Sequence, residues 1–161
     1  MKHKKLIGGM NTSVILRFSD EAQTYEIFSP WKNGNARPSL KRPVDVVAYG
    51  DFIAYTTYVA TDARHKSGLG RAAGLGVLFG PAGAIVGAIT GRADFDTVNQ
   101  ISVALRTASG DQYILPLLYA PLRGEKSTST TAKLAMQSLE QVTAKLEATG
   151  AAFDPNLSAR I

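Results

Sequence analysis

The chain has 161 residues, of which 45% are hydrophobic and 19% are charged, enough apolar material for one domain that closes its own core. It has no cysteine, which excludes disulfides, thiolate metal sites and cysteine nucleophiles. The net charge of +5 favours anionic partners. The basic residues are dispersed and form no stripe interleaved with aromatic residues, so nucleic acid is not favoured as a partner.

The N-terminus begins with a basic stretch, but only Leu6 and Ile7 follow it before glycine interrupts the apolar run. A secretion signal needs a longer apolar stretch. We therefore expect a cytoplasmic protein, with peripheral membrane contact as an open alternative.

Strand patterns dominate the first sixty residues. Residues 14–19 and 24–29 are β-branched and aromatic runs separated by DEAQ, which predicts a hairpin. Residues 30–43 are rich in proline, glycine and asparagine and are predicted to form an irregular loop. Strands are predicted again in 44–50 and 52–61, with Gly50 and Asp51 at the turn between them.

The second half holds one hairpin and one helix. Residues 100–120 predict two strands joined at Ser109-Gly110-Asp111, and Pro116 indicates an edge strand or a bulge. Residues 127–150 change to the helical period, with an N-cap in the Ser/Thr cluster and a C-cap at Gly150. The helix should cover an open end or face of the sheet. Its predicted buried face consists of Ala135, Leu139, Val142 and Leu146, with Met136 and Thr143 beside them.

Strands followed by one terminal helix predict an α+β fold, a pleckstrin-homology-like bent sheet or barrel with a C-terminal helix. The stretch SGLGRAAGLGVLFGPAGAIVGAITG, the hairpin after it and EKSTSTTAKLAMQSLEQVTAKL resemble a group of largely uncharacterised bacterial and phage proteins. Members carry a glycine-rich segment of this type between two strands and a helix near the end. The resemblance covers roughly residues 45–148 and supports one domain over 1–161 with residues 68–92 inserted. Some members add a zinc ribbon, which the absence of cysteine excludes here.

The glycine-rich segment is the most unusual part of the sequence. Residues 72–89 are uncharged and comprise five glycines, five alanines, one proline and seven large apolar residues. Seven such residues contribute only about −2 to −4 kcal/mol to membrane insertion, and five glycines at about 1 kcal/mol each of helix propensity offset much of it. Pro81 after Gly80 predicts a turn. We therefore expect a helical hairpin with arms near 69–79 and 82–91.

Each arm would be about 15 Å long, half of a ~30 Å hydrocarbon core, so the hairpin could enter a bilayer but could not cross it as two complete spans. Gly83, Gly87 and Gly91 recur every four residues, as do two pairs in the first arm. This spacing permits close helix contact in a membrane or between copies of the chain. A third interpretation is that the glycines let the hairpin pack on its own sheet as buried core.

Two sets of contact residues follow from this segment, for a non-enzymatic module that binds copies of itself or a membrane surface. The apolar set, predicted to contact another protomer or the acyl boundary, is Gly74, Leu75, Gly76, Val77, Leu78, Phe79, Gly80, Pro81, Gly83, Ile85, Val86, Gly87, Ile89 and Gly91. The basic set, predicted to contact anionic headgroups, is Arg64, Lys66, Arg71 and Arg92.

No catalytic pattern accompanies these sets. GLGRAAG lacks the phosphate-loop spacing, and no Lys-Ser/Thr pair follows it, so nucleotide binding is a weak alternative. His3 and His65 lack a neighbouring nucleophile and carboxylate pattern. Asp94 and Asp96 supply too few oxygen ligands for a calcium site. Trp31 is interpreted as an edge plug of the sheet, with a recognition role as the alternative. We expect no enzyme activity, no cofactor and no metal.

Overall fold

Several segments of this chain alternate apolar and polar residues, and a period of two places one side of a strand against a core. The computed structural model describes residues 4–8, 14–39, 41–62 and 97–161, and gives an α+β architecture of two sheets and one long helix. The strands are β1 (Lys4–Gly8), β2 (Val14–Ser19), β3 (Thr24–Ile27), β4 (Trp31–Lys32), β5 (Asn35–Ala36), β6 (Asp45–Ala48), β7 (Phe52–Asp62), β8 (Thr97–Thr107), β9 (Gln112–Tyr119), β10 (Glu125–Lys126) and β11 (Ala152–Phe153), and the helix is α1 (Thr130–Ala148).

The strands form a four-stranded sheet in the order β1-β2-β3-β6 and a second sheet in the order β11-β7-β8-β9-β4-β5, with β10 pairing to β8. A short 3-10 turn, Tyr49–Asp51, carries the chain from the first sheet to the second, where a turn was predicted. Between the described strands no pairing joins the outer edges of the sheets, so they do not close a barrel. This open arrangement leaves one side of the core for α1 to cover.

The helix covers both sheets, and the face that it buries is the one that the sequence pattern predicted. Ala135, Leu139, Val142 and Leu146 are all buried in one cluster with residues of both sheets. Thr143 is also buried, and its hydroxyl donates to the Leu139 carbonyl at 2.9 Å. The amphipathic face of α1 therefore closes the core.

The ends of α1 follow the predicted capping chemistry. Ser129 is the N-cap, and its Oγ accepts a hydrogen bond from the Ala132 amide at 3.1 Å. At the other end Gly150 has a φ of +102°, and the Ala151 amide donates to the Leu146 carbonyl. This pairing forms a Schellman motif, in which glycine supplies the left-handed turn after the helix.

A cationic side chain joins the C-terminal end of α1 to the first sheet. Lys145 forms an ion pair with Asp20, and its Nζ lies 4.8 Å from the ring centre of Phe18 and 5.0 Å from that of Tyr49. The Tyr49 hydroxyl donates to Asp20 Oδ1 at 2.8 Å. Because the ammonium contacts a carboxylate and two aromatic faces, it fixes this end of the helix.

The C-terminal tail extends the second sheet at the edge of β7 and then packs on the outer face of that sheet through Leu157 and Ala159. β11 pairs in parallel with β7, and the Phe153 ring lies 5.8 Å from that of Tyr55. Further along, the Ala159 carbonyl accepts hydrogen bonds from Gln100 and Ser102, both of which are buried. The tail thus satisfies polar groups that would otherwise be buried without partners.

Two sequence predictions need correction. Residues 30–43 are not entirely irregular, because β4 and β5 form a small hairpin there whose turn residues Asn33 and Gly34 have φ values of +49° and +84°. Asn-Gly is the usual signal for such a turn, and the surrounding prolines obscured it. β1 was not predicted, since its basic composition resembles a flexible terminus. Trp31 is half-buried on β4, opposite Ile114 of β9.

The hairpin of residues 100–120 is confirmed, with β8 and β9 meeting at the predicted turn. Pro116 lies at a bulge, because Ser102 pairs with Pro116 while Ile101 pairs with Leu118. Proline has no backbone N–H to donate, and this is tolerated where the ladder is irregular.

Stability should fall at alkaline pH because of a buried tyrosine. Burial, partly offset by the hydrogen bond to Thr149, raises the pKa of Tyr25 to about 12. The unfolded chain loses this proton near pH 10, so the free energy of unfolding should be level below pH 10 and fall between pH 10 and about pH 12. Denaturant melts across this range measure the slope. Tyr25→Phe should reduce the slope of the unfolding free energy against pH by the equivalent of up to one released proton. An unchanged slope would contradict the assignment to Tyr25.

Candidate functional site

The residues predicted to make contacts lie outside the described part of the chain. This holds for the apolar set between Gly74 and Gly91 and for Arg64, Lys66 and Arg71, as well as for Arg92. The predicted helical hairpin therefore stays a prediction. What the structure describes is the pair of strands between which the glycine-rich segment is inserted.

These two strands form the longest ladder of the molecule. β7 and β8 have 11 residues each and pair antiparallel from Phe52 and Thr107 at one end to Asp62 and Thr97 at the other. Asp62 and Thr97 are direct partners, so the chain leaves the sheet and returns to it at adjacent positions. The segment between them is therefore attached at one end of the second sheet. We call this end, where Asp62 pairs with Thr97, the root.

The turn between β9 and β10 packs against the root. The Ala120 amide donates to the Asn99 carbonyl at 2.8 Å, and the Gly124 amide donates to the Ala120 carbonyl at 3.0 Å. Gly124 has a φ of +69°, and a Cβ there would lie 2.9 Å from Cβ of Thr97. Only glycine satisfies both the left-handed backbone and the close contact. The turn is thus held in one position on the root.

This turn carries the most exposed large apolar side chain of the described residues. Leu122 is 96% exposed, and Arg123 beside it is also exposed. β10 then places exposed Lys126 opposite Thr97, while Glu125 is half-buried. The root therefore presents a leucine and two cations to solvent.

A cleft of about 380 Å³ lies at the opposite end of β8, between the edge of the first sheet and the β8–β9 turn. Its lining includes three carboxylates, Asp45, Asp51 and Asp111, and one lysine, Lys32. Lys32 pairs with Asp45 at 3.0 Å, and the Tyr113 hydroxyl donates to Asp45 Oδ2 at 2.8 Å. The polar groups at the centre of the cleft thus satisfy one another.

The tyrosine in this cleft is held in its protonated form. Burial, with the hydrogen bond and negative charge of Asp45, raises the pKa of Tyr113, so its phenol stays protonated and is a poor base. Both histidines of the chain, His3 and His65, lie outside the described residues. Within residues 4–8, 14–39, 41–62 and 97–161, no group of three His, Asp or Glu side chains could hold a metal ion.

Two further observations bear on the site. Over the ranges that the structure describes, no helix has the length and hydrophobicity needed to cross a membrane. Comparison of the chain with protein-family models, curated proteins and solved structures gives no match. The function must therefore be argued from the geometry of the root and the sequence inserted there.

The β9–β10 turn is the part of this site that sequence reasoning missed. Its signal was present, because Leu122 stands between Pro121 and Gly124 in a stretch too short for another strand. A large apolar residue in a turn has little chance of reaching a core. Its position beside Thr97 could not be inferred from sequence, since the contact depends on how β9 and β10 pair with β8.

Gly124→Ala should destabilise the protein by about 2–4 kcal/mol, because a left-handed alanine costs about 1–2 kcal/mol and the new methyl group overlaps Thr97. Gly50→Ala is the matched control, since a Cβ at Gly50 would meet no atom within 4 Å and its φ is not positive. Denaturant unfolding of both variants measures the difference. A loss below about 0.5 kcal/mol at Gly124 would contradict the close contact.

Proposed function

We propose that this chain is a non-enzymatic interaction module, a pleckstrin-homology-like domain that presents its glycine-rich segment to a partner. The observation that carries the proposal is the pairing of Asp62 with Thr97. A segment attached through two paired residues at a sheet end is held by the ladder at both of its ends. The paired strands thereby fix the positions at which the chain leaves the sheet and returns to it, whatever conformation the segment adopts.

The order of elements supports the pleckstrin-homology-like assignment. An antiparallel first sheet is followed through Tyr49–Asp51 by β7, β8 and β9, and α1 comes after them and packs on both sheets. The proposed helical hairpin, residues 68–92, would then be an insertion between β7 and β8. Insertions at such a position are tolerated because loop-closure free energy grows slowly with length.

An anionic membrane surface is the partner that we favour. In this proposal Phe79, Ile85 and the other large apolar residues of the segment enter the acyl boundary, while Arg71 and Arg92 contact headgroups. The exposed Leu122 at the root supports this choice, because a second apolar side chain is presented beside the segment. The contact would be peripheral, since each predicted arm reaches only about half of the hydrocarbon core.

Self-association is the second candidate, and the glycine spacing favours it. Gly83, Gly87 and Gly91 would leave one face of a helix without side chains, so that two copies could pack closely. The same large apolar residues would then close a homo-oligomer instead of entering lipid. Oligomeric state in the absence of detergent separates the two candidates.

A segment buried on its own sheet is the alternative to both. The described core counts against it, because residues of both sheets and α1 already form one continuous buried cluster that includes Leu16, Ile101 and Leu139. If the segment were core, its removal would unfold the domain. If it serves a partner, the domain should fold without it.

Deletion of residues 68–92, with Ser67 joined to Ala93 through a short Gly-Ser linker, should leave a folded domain that has lost partner binding. The expected result is a cooperative thermal melt by circular dichroism, together with loss of vesicle binding and of any oligomer seen by light scattering. An equal-length Gly-Ser replacement of 68–92 is the matched control for loop length. A deletion that unfolds the chain would contradict the proposal in favour of buried core.

The membrane proposal predicts two separable contributions. Phe79→Ser with Ile85→Ser should reduce vesicle binding at all salt concentrations, because apolar burial is little affected by ions. Arg71→Gln with Arg92→Gln should reduce binding roughly thirtyfold at low ionic strength and far less at high salt. Co-flotation with vesicles of fixed anionic lipid content measures both. If the parent protein never floats but forms a defined oligomer, self-association replaces the membrane.

A further inference from the structure

We infer that the β9–β10 turn is a membrane-contact element in its own right, in which Leu122 enters the interface of an anionic lipid surface while Arg123 and Lys126 contact headgroups. The inference rests on the proposed membrane function and adds a contact outside the glycine-rich segment. It also orients the domain, with the root toward the membrane and the carboxylate-lined cleft away from it.

The first support is that the exposure of Leu122 is built into the fold. The turn is closed by the Gly124 amide on the Ala120 carbonyl, and Gly124 is in close contact with Thr97. Leu122 stays 96% exposed within this fixed frame. Because the turn is held in place, the leucine side chain is exposed to water, which is unfavourable in free energy. Transfer of this side chain to an apolar surface would remove that unfavourable contribution.

The second support is the charge around that leucine. Arg123 and Lys126 are exposed, and Glu125 between them is half-buried, so the turn carries a net charge of +1. Cations that follow an apolar residue in the same turn suit the boundary between headgroups and acyl chains, since the charges stay in the polar layer. A protein pocket of matching shape would satisfy Leu122 equally but would not select for anionic lipid.

The third support is position. Four large apolar residues in the described ranges are exposed, namely Val46, Ile53, Leu122 and Leu134. Leu122 is the most exposed of them, and its turn packs on Thr97, where the chain returns from the glycine-rich segment. Lys126 is the pairing partner of Thr97. A membrane that the segment contacts would therefore be close to the turn.

The contribution of the turn is that of an auxiliary contact. Burial of one leucine strengthens partitioning about tenfold or more, and each cation near an anionic surface strengthens it about fivefold. These factors are too small to hold the domain on a membrane without the segment. They are large enough to measure when the segment binds as well.

The first experiment is co-flotation of Leu122→Ser with anionic and with zwitterionic vesicles. Binding to anionic vesicles should fall about tenfold, and Arg123→Gln should reduce it about fivefold at low salt and little at high salt. Leu134→Ser is the matched control, because Leu134 is 52% exposed on α1 and is assigned no lipid contact. Circular dichroism checks that each variant stays folded. Equal losses for Leu122→Ser and Leu134→Ser would overturn the inference.

The second experiment measures orientation directly. Because the chain has no cysteine, Leu122→Cys and Ser109→Cys each give a single site for an environment-sensitive fluorophore. Ser109 lies in the turn at the far end of β8, roughly 35 Å from the root over eleven residues. Anionic vesicles should shift the emission at position 122 to the blue and leave that at 109 unchanged. Equal shifts, or a shift at 109 alone, would overturn the inference.

These outcomes separate the inference from the function on which it depends. If the parent floats, deletion of 68–92 abolishes binding and Leu122→Ser has no effect, the membrane function stands and the turn contact is wrong. If the parent does not float with any lipid, both fail. If the parent does not float and the Leu122→Ser variant differs from it in oligomeric state, the turn contacts protein and the inference is overturned.

Discussion

The pairing of β7 with β8 is the interaction on which the rest of the structure depends. It pairs ten residues of each 11-residue strand in one antiparallel ladder, from Phe52 to Asp62 and from Thr97 to Thr107, with one residue of each strand left out at a register shift. Its inner face supplies Tyr55, Ile101 and other residues of the core, and its outer face receives the C-terminal tail. One end holds the root and the other lines the cleft. A long ladder of buried side chains resists slippage, because a one-residue shift would expose its inner face.

The helix depends on this ladder and completes it. α1 buries Leu139 and Leu146 against both sheets, and the ion pair of Lys145 with Asp20 fixes its C-terminal end to the first sheet. The N-terminal end begins at Ser129, three residues after β10 pairs with β8. Both ends of the helix are therefore close to strands that they contact or follow.

The two ends of the second sheet differ in chemistry, and that difference is the basis of the functional argument. At the cleft, Lys32 and Tyr113 satisfy Asp45, so its central polar groups are already paired. At the root, Leu122 is 96% exposed, and the two strands lead into a segment dominated by glycine, alanine and large apolar residues. Satisfied polar groups stabilise a fold, whereas the exposed leucine beside an apolar segment is the ground on which we propose a contact at the root.

The sequence by itself determined the local elements: the hairpin of β8 and β9, the buried face of α1, an N-cap within the Ser/Thr cluster before α1 and the left-handed Gly150 after it. Each depends on neighbouring residues, through a period of two, a period near 3.6 or a left-handed glycine. It also singled out the glycine-rich segment, whose composition is unusual without any structure. Only the tertiary structure decided that β1 is a strand, that the tail covers the outer face of the second sheet, and that Leu122 stands at the root. These features depend on pairings between distant parts of the chain, for which a short stretch of residues carries no period.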